Sequence, residues 1–292
     1  MKMNPVYRQE TTVGSRSFKL PLVILIFNSI LALVALLDMY SMINQVRQTA
    51  EIQYSSFLSL YVFAASVEFV MLLFLVPAMT AGSISGERER RTLNLLLTTQ
   101  MTAGDVVIGK LTANLSTILL LIVSSFPILA LVFIYGGITI LDAALLLLCY
   151  VTTAFLTGSI GVFCSAYFRK STIATVASYC ITVLLSLGTV AAYELSGVLG
   201  HGSGSNGSSG LFYLMLFNPG ATFRSVLSSQ IGAGNEIADF FPWLEQGPVS
   251  FVSEHWMLFG TVTQIGLAVV LVWLAVRKVE PVKRRSAKKT EH

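Results

Sequence analysis

Gly104-Asp105-Val106-Val107-Ile108-Gly109-Lys110 has the glycine and lysine spacing of a phosphate-binding loop. In such a loop the next residue is Ser or Thr, whose hydroxyl reaches a magnesium ion; here it is Leu111. No strand pattern precedes the match and a long apolar run follows it. The match is accidental, and the chain is expected to bind no ATP and no magnesium of its own. The three cysteines, Cys149, Cys164 and Cys180, each lie in an apolar run at no metal-clamp spacing, and read as small buried hydrophobes. His201, His255 and His292 are scattered. No Ser-His-Asp grouping can meet at one face, and no carboxylate pair lies inside one apolar run. Catalytic, cofactor and metal residues are therefore all expected to be absent. Two charged features remain: Glu68, alone in an apolar run, and the five consecutive charges Glu87-Arg88-Glu89-Arg90-Arg91.

Composition says what must hold them. Of 292 residues 54% are hydrophobic and 12% charged, with mean hydropathy +0.73. A soluble domain carries about a quarter charged residues, and disorder needs low hydrophobicity with high charge. Both classes are excluded. The pattern predicts an all-α integral membrane protein with six transmembrane helices, at about 20–43, 57–81, 108–135, 143–168, 171–195 and 256–277. They form a single domain over 1–292, since no internal repeat is evident. No cleavable signal peptide is expected, because the first apolar run begins after about twenty mostly polar residues. Glu68 falls about 11 residues into the second span, about 16 Å along it and near mid-membrane. An ionisable group there faces protein or water. It either lines a pathway or a subunit interface, or serves as a structural hydrogen-bond partner.

The basic residues orient the spans. Lys2, Arg8, Arg16 and Lys19 precede span 1; Arg88, Arg90, Arg91 and Lys110 lie between spans 2 and 3. Arg169 and Lys170 join spans 4 and 5, and seven more follow span 6. Only Arg47 and Arg224 of the 19 fall on the other side. Positive residues stay cytoplasmic, which puts both termini inside. The basic charge thus marks one membrane face, and no nucleic acid is expected. Residues 278–292 form a basic cytoplasmic tail, and residues 201–254 a long extracellular loop. That loop opens with a Gly/Ser-rich linker, His201 to Gly210. Leu211 to Phe223 is apolar but too short to span, which suggests a re-entrant or interfacial outer segment before span 6.

Glu87 to Thr99 should form a short amphipathic cytoplasmic helix, with Leu93, Leu96 and Leu97 on one stripe. Glu87 and Arg91 are spaced as an i,i+4 pair, and Thr102 to Asp105 can cap the next helix. The stretch ERERRTLNLLLTTQMTAGDVVIGKL, residues 87–111, resembles the signature of ABC-2 type transporter permeases. Glu87, Arg88, Glu89, Thr92, Leu93, Leu96, Leu97, Thr98, Thr99, Gly109, Lys110 and Leu111 match it. Many members have Gly where this chain has Arg91, and Pro where it has Gln100. Asn4-Pro5-Val6 with Glu10 is also similar to members in which an amphipathic N-terminal interfacial helix precedes span 1.

The resemblance implies a permease subunit of an ATP-binding-cassette transporter. Its partners would be a cytoplasmic ATPase subunit, which binds the ATP and Mg, a second permease copy or paralogue, and the lipid bilayer. It implies a non-catalytic chain in a cell membrane, with a bacterial one expected. Alternating access and export are the expected mechanism and direction. Glu87, Arg88, Glu89, Arg91, Thr92, Leu93, Leu96, Leu97, Thr98 and Thr99 become the ATPase-coupling segment, and Glu68 the pathway or interface candidate. Relatives handle peptides, drugs, lipids and ions, so no substrate follows. An ion-coupled secondary transporter predicts broken helices and mid-membrane charges, and only Glu68 answers to that. A structural membrane anchor is the third reading.

Overall fold

The computed structural model describes residues 5–49, 54–91, 102–136, 138–192, 195, 213–231, 252 and 255–279. Among these the chain is helical, with no strand. In chain order the helices are α1 (Pro5–Arg16), α2 (Lys19–Thr49), α3 (Tyr54–Thr80), α4 (Ser85–Glu89), α5 (Ala103–Gly136), α6 (Ile140–Tyr167), α7 (Ser171–Val183), α8 (Pro219–Ile231) and α9 (Trp256–Val279). A π-helical turn, Leu184–Gly188, continues α7. Six of them, α2, α3, α5, α6, extended α7 and α9, are long and apolar enough to cross a bilayer. The chain is a multi-pass membrane protein. Several helices run past the apolar windows that mark them: α2 continues to Thr49 and α5 begins at Ala103, before Asp105.

Local chemistry sets the starts. Thr139 caps α6 in a reciprocal box with Asp142. Thr102 and Asp105 form the same box before α5: the Asp105 N–H donates to Thr102 Oγ1 at 3.1 Å, and the Thr102 N–H to Asp105 Oδ2 at 3.1 Å. Residues 104–110 are thus part of the first two turns of a helix, not a loop between a strand and a helix.

The centre of the bundle is α6, packed against α3, α5, α7, α8 and α9. Lipid tails are as apolar as leucine, so close packing rather than water exclusion must hold such helices together. The sequence of α6 supplies it: Thr152, Thr153, Ala154, Thr157, Gly158, Ser159 and Gly161 are all small and buried. At Gly161 a Cβ would fall 2.0 Å from Thr80 Oγ1, so α3 and α6 meet there with no room for a side chain. The hydroxyls turn back on their own helix, as Thr157 does to the Thr153 carbonyl at 2.8 Å. By contrast α2 is peripheral. Phe27 and Leu31 pack on Leu121 of α5, while Leu22, Leu25, Leu33 and Leu36 are exposed.

The chain before α9 differs in detail from its sequence pattern. The described part of the apolar stretch, 213–223, is not one element, because Asn218 breaks it: its Oδ1 accepts the Gly220 N–H at 2.7 Å and starts α8. Phe223 stacks on Phe69 of α3, ring centroids 4.2 Å apart and planes within 5°. Tyr61 donates to Gln230, whose amide donates to the Asp142 carbonyl at 2.8 Å. Phe69 is 11 residues from the end of α3 that leads into α4, about 16 Å along the axis, and Tyr61 about 28 Å. The start of α8 therefore reaches deep into the bundle and its end lies near the far rim. The π turn has a role here. The Ser186 carbonyl within it accepts from Asn218 Nδ2 at 2.8 Å, while Gln264 of α9 donates to Thr222 Oγ1 at 2.7 Å. Of the loop 201–254, only residues 213–231 and 252 are described, and the tail from 280 onward lies outside the described residues.

Candidate functional site

The end of the bundle bearing α4 gathers the charged residues of the motif. The turn 81–84 redirects the chain out of α3. The amides of Ile84 and Ser85, which the start of a helix leaves unpaired, both donate to Ser165 Oγ of α6, at 2.8 and 2.9 Å. That contact fixes the rotation of α4, and its three charges then point to three different helices.

Glu87 faces α5. Its Oε1 accepts from Lys110 Nζ at 3.2 Å, and the same ammonium donates to Glu10 Oε1 of α1 at 2.6 Å. The Lys110 side chain is 6% exposed. A lysine so enclosed needs its charge compensated, and two carboxylates from elements far apart in sequence do so. Alongside, Tyr7 Oη and Ser116 Oγ lie 3.2 Å apart and Val6 is buried, which seats α1 on α5. Arg88 turns to the C-terminal end of α6, donating to the Ala166 carbonyl at 3.3 Å and the Phe168 carbonyl at 3.4 Å. Glu89 turns to the first turn of α7, accepting the Ser171 N–H at 2.9 Å and its hydroxyl at 2.8 Å. The backbone N–H first, then the hydroxyl, hold the Glu89 carboxyl below the ordinary glutamate value. A cation at a helix C-terminus and an anion at an N-terminus both suit the helix dipoles.

The helix ends at Glu89, and Arg91 has φ 59°. That is the left-handed region, which glycine enters without the steric cost a Cβ brings. A glycine would suit this backbone, and Arg91 adopts it at a steric cost. That conformation also removes the i,i+4 geometry expected for Glu87 with Arg91, and Glu87 is found on Lys110 instead. Arg90 and Arg91 are both exposed. Thr92, Leu93, Leu96, Leu97, Thr98 and Thr99 lie outside the described residues, and so does the expected leucine-striped helix.

Glu68 is 0% exposed. Its Oε1 accepts from Ser125 Oγ of α5, and Tyr150 of α6 sits nearby with its hydroxyl donating to the Ala65 carbonyl at 2.9 Å. Glu68 is thus enclosed among α3, α5 and α6 and hydrogen-bonded to α5.

Sequence reasoning missed Ser165 and Ser171, and gave Lys110 and Glu10 no partners. Only Ser171 carried a signal, being a hydroxyl residue at the head of an apolar run. Among the described residues no group of His, Cys, Asp or Glu could hold a metal ion.

The family model described as ABC-2 family transporter protein matches residues 5–279. No curated protein matches the chain.

Proposed function

The chain belongs to the ABC-2 transporter family, and from that premise we propose that it is the permease subunit of an ATP-driven exporter. It pairs with a second permease and is worked by a separate ATPase. The α4 end faces the cytoplasm, in keeping with the placement of Arg88, Arg169, Lys170, Arg277 and Lys278 there. The residues from Glu87 to Thr99 receive the motion of the ATPase.

One observation carries this reading: Glu87, Arg88 and Glu89 tie a five-residue helix at once to α5, α6 and α7, and through Lys110 to α1. A force applied to α4 cannot move it alone. It displaces the ends of three spanning helices together, which is what conversion of a cytoplasmic stroke into a membrane rearrangement requires. Arg90 and Arg91, exposed and just beyond, are the charges left to meet the ATPase.

The test is reconstitution of the permease in proteoliposomes with candidate ABC ATPase subunits from the same source. The permease should stimulate ATP hydrolysis in the wild type, and charge reversal at Arg90 and Arg91 should lower ATPase capture. Full permease activity in vesicles without any ATPase would replace this reading with ion-coupled transport.

A further inference from the structure

The outward face of α9 ends in two cations, Arg277 and Lys278. Leu258, Val262, Val269, Val270 and Leu274 are exposed along that face, while Ala268, Ala275 and Val279 are buried against the bundle. The exposed stripe is apolar and therefore turned to the acyl chains. Arg277 lies about 28 Å along the axis from Leu258, close to the ~30 Å thickness of a hydrocarbon core. Arg277 and Lys278, both exposed, thus stand at the level of the headgroups of one leaflet.

An aromatic ring holds each cation. The Arg277 guanidinium lies over the Trp273 ring, 3.6 Å from its centroid and one turn along the same helix. Lys278 Nζ lies over the Tyr167 ring at 5.0 Å, at the end of α6. Both rings are about half exposed, as suits the aromatic belt of a membrane interface. A guanidinium stacked by its face keeps the N–H groups of its edge free, and that edge is the fork which fits two phosphate oxygens. Arg169, two residues after Tyr167, is exposed at the same rim. Neither Arg277 nor Lys278 is in an ion pair among the described residues. The carboxylates described at this end of the bundle are engaged elsewhere: Glu10 and Glu87 meet Lys110, Glu89 accepts from Ser171, and Asp105 from Thr102.

We propose that Arg277 and Lys278 bind the phosphate of an anionic phospholipid, with Trp273 orienting the guanidinium and one acyl chain lying along the α9 stripe. A phosphatidylglycerol head brings one negative charge and no cation. A choline or ethanolamine head adds an ammonium, which the two cations repel. The site goes beyond the transport reading and does not depend on it, since it needs only that α9 crosses a bilayer.

The experiment is lipid binding to the purified full-length chain in detergent, read by native mass spectrometry. Dioleoyl phosphatidylglycerol and dioleoyl phosphatidylcholine are added separately. Each cation near an anionic group contributes about fivefold, so the wild type should prefer the glycerol lipid by about tenfold or more. Arg277→Gln with Lys278→Gln should remove that preference, while unchanged binding of the choline lipid shows that the protein is intact. Trp273→Leu keeps both charges and removes the platform, and should lower the preference about threefold. Lys288→Gln with Lys289→Gln removes as much charge from the tail and should leave the preference in place. Excess inorganic phosphate should not displace the lipid, because it brings no acyl chain to the stripe. Equal binding of the two lipids by the wild type would overturn the proposal, as would a preference that survives the Arg277 and Lys278 substitutions or is untouched by Trp273→Leu. Equal loss in the tail variant would replace the site with general charge attraction, and displacement by phosphate would replace the lipid with a free anion.

Discussion

Replacing Lys110 with methionine should release α1 from the bundle. Removing one member of a fully buried ion pair costs about 3–5 kcal/mol, because the charge left behind has no partner. Exposed pairs are worth about 0–1 kcal/mol. Lys110 belongs to the first class, at 6% side-chain exposure, but Glu10 and Glu87 are 41% and 27% exposed. Water can rehydrate much of what the lysine leaves. The loss should lie between the limits, at about 2 kcal/mol, or about thirtyfold in the population of undocked α1. Methionine keeps the length of the aliphatic stem, so the packing around Leu111 and Val107 survives. Limited trypsin digestion of the detergent-solubilised protein reads the outcome directly, since Arg8 lies on α1. Cleavage there should accelerate while the spanning helices stay resistant. A double-mutant cycle with Glu10→Gln separates the ion pair from general loosening, and a coupling of about 1–2 kcal/mol is expected for groups in direct contact. If the two substitutions add without coupling, or cleavage at Arg8 is unchanged in Lys110→Met, the clasp does not hold α1 and the reasoning fails.

Glu89→Ala should leave the protein in the membrane but speed hydrogen exchange at the Ser171 amide and lower ATPase stimulation in the reconstituted system. Because the Glu89 carboxyl sits below its ordinary value in the folded state, its contribution is fully present above the unfolded glutamate value and lost as pH falls through the lowered one. Exchange at Ser171 in the wild type should accordingly stay slow across neutral pH and rise above its intrinsic trend only in acid; no such rise would count against the contact. Arg91→Gly should raise the melting midpoint by relieving the left-handed strain, a gain of about 1 kcal/mol, whereas Arg91→Ala should gain nothing because alanine keeps the Cβ. Gly161→Ala should cost about 1–3 kcal/mol by overpacking; Thr80→Ala, which removes the oxygen 2.0 Å from the added carbon, should recover part of it, and equal melting of both variants and wild type would disprove the close approach.

The helices were legible because their signal is local. Apolar runs bounded by Asp142, Arg169 or Arg277 locate spans without reference to the rest of the chain, and Thr102 with Asp105 announces a cap within four residues. What the pattern could not give is where an element stops once packing replaces hydropathy. The window for span 3 begins near Ile108, yet α5 starts at Ala103, since the capping box and the docking of Val106 and Val107 carry the helix past Asp105 and Lys110. Asn218 is a harder case. Inside an apolar stretch its amide reads as an interruption, and its use depends on the Ser186 carbonyl in the π turn of another helix.

The charged segment separates the two kinds of information most clearly. Five adjacent charges between two spans of a membrane protein invite one interpretation, a face offered to a partner. Yet Glu87, Arg88 and Glu89 find their partners within the chain, at Lys110, at the carbonyls of Ala166 and Phe168, and at Ser171, 23, 78, 80 and 82 residues away. No spacing rule reaches that far. Only after these three are placed does a division follow: the first three charges of the run hold α4 to α5, α6 and α7, and Arg90 and Arg91, beyond the helix end, are exposed. Variants at the first three should therefore impair transmission with docking intact, and variants at the last two should impair docking with the bundle intact. On the proposed function, a run of charge that looks uniform in sequence has two parts, divided where α4 ends at Glu89.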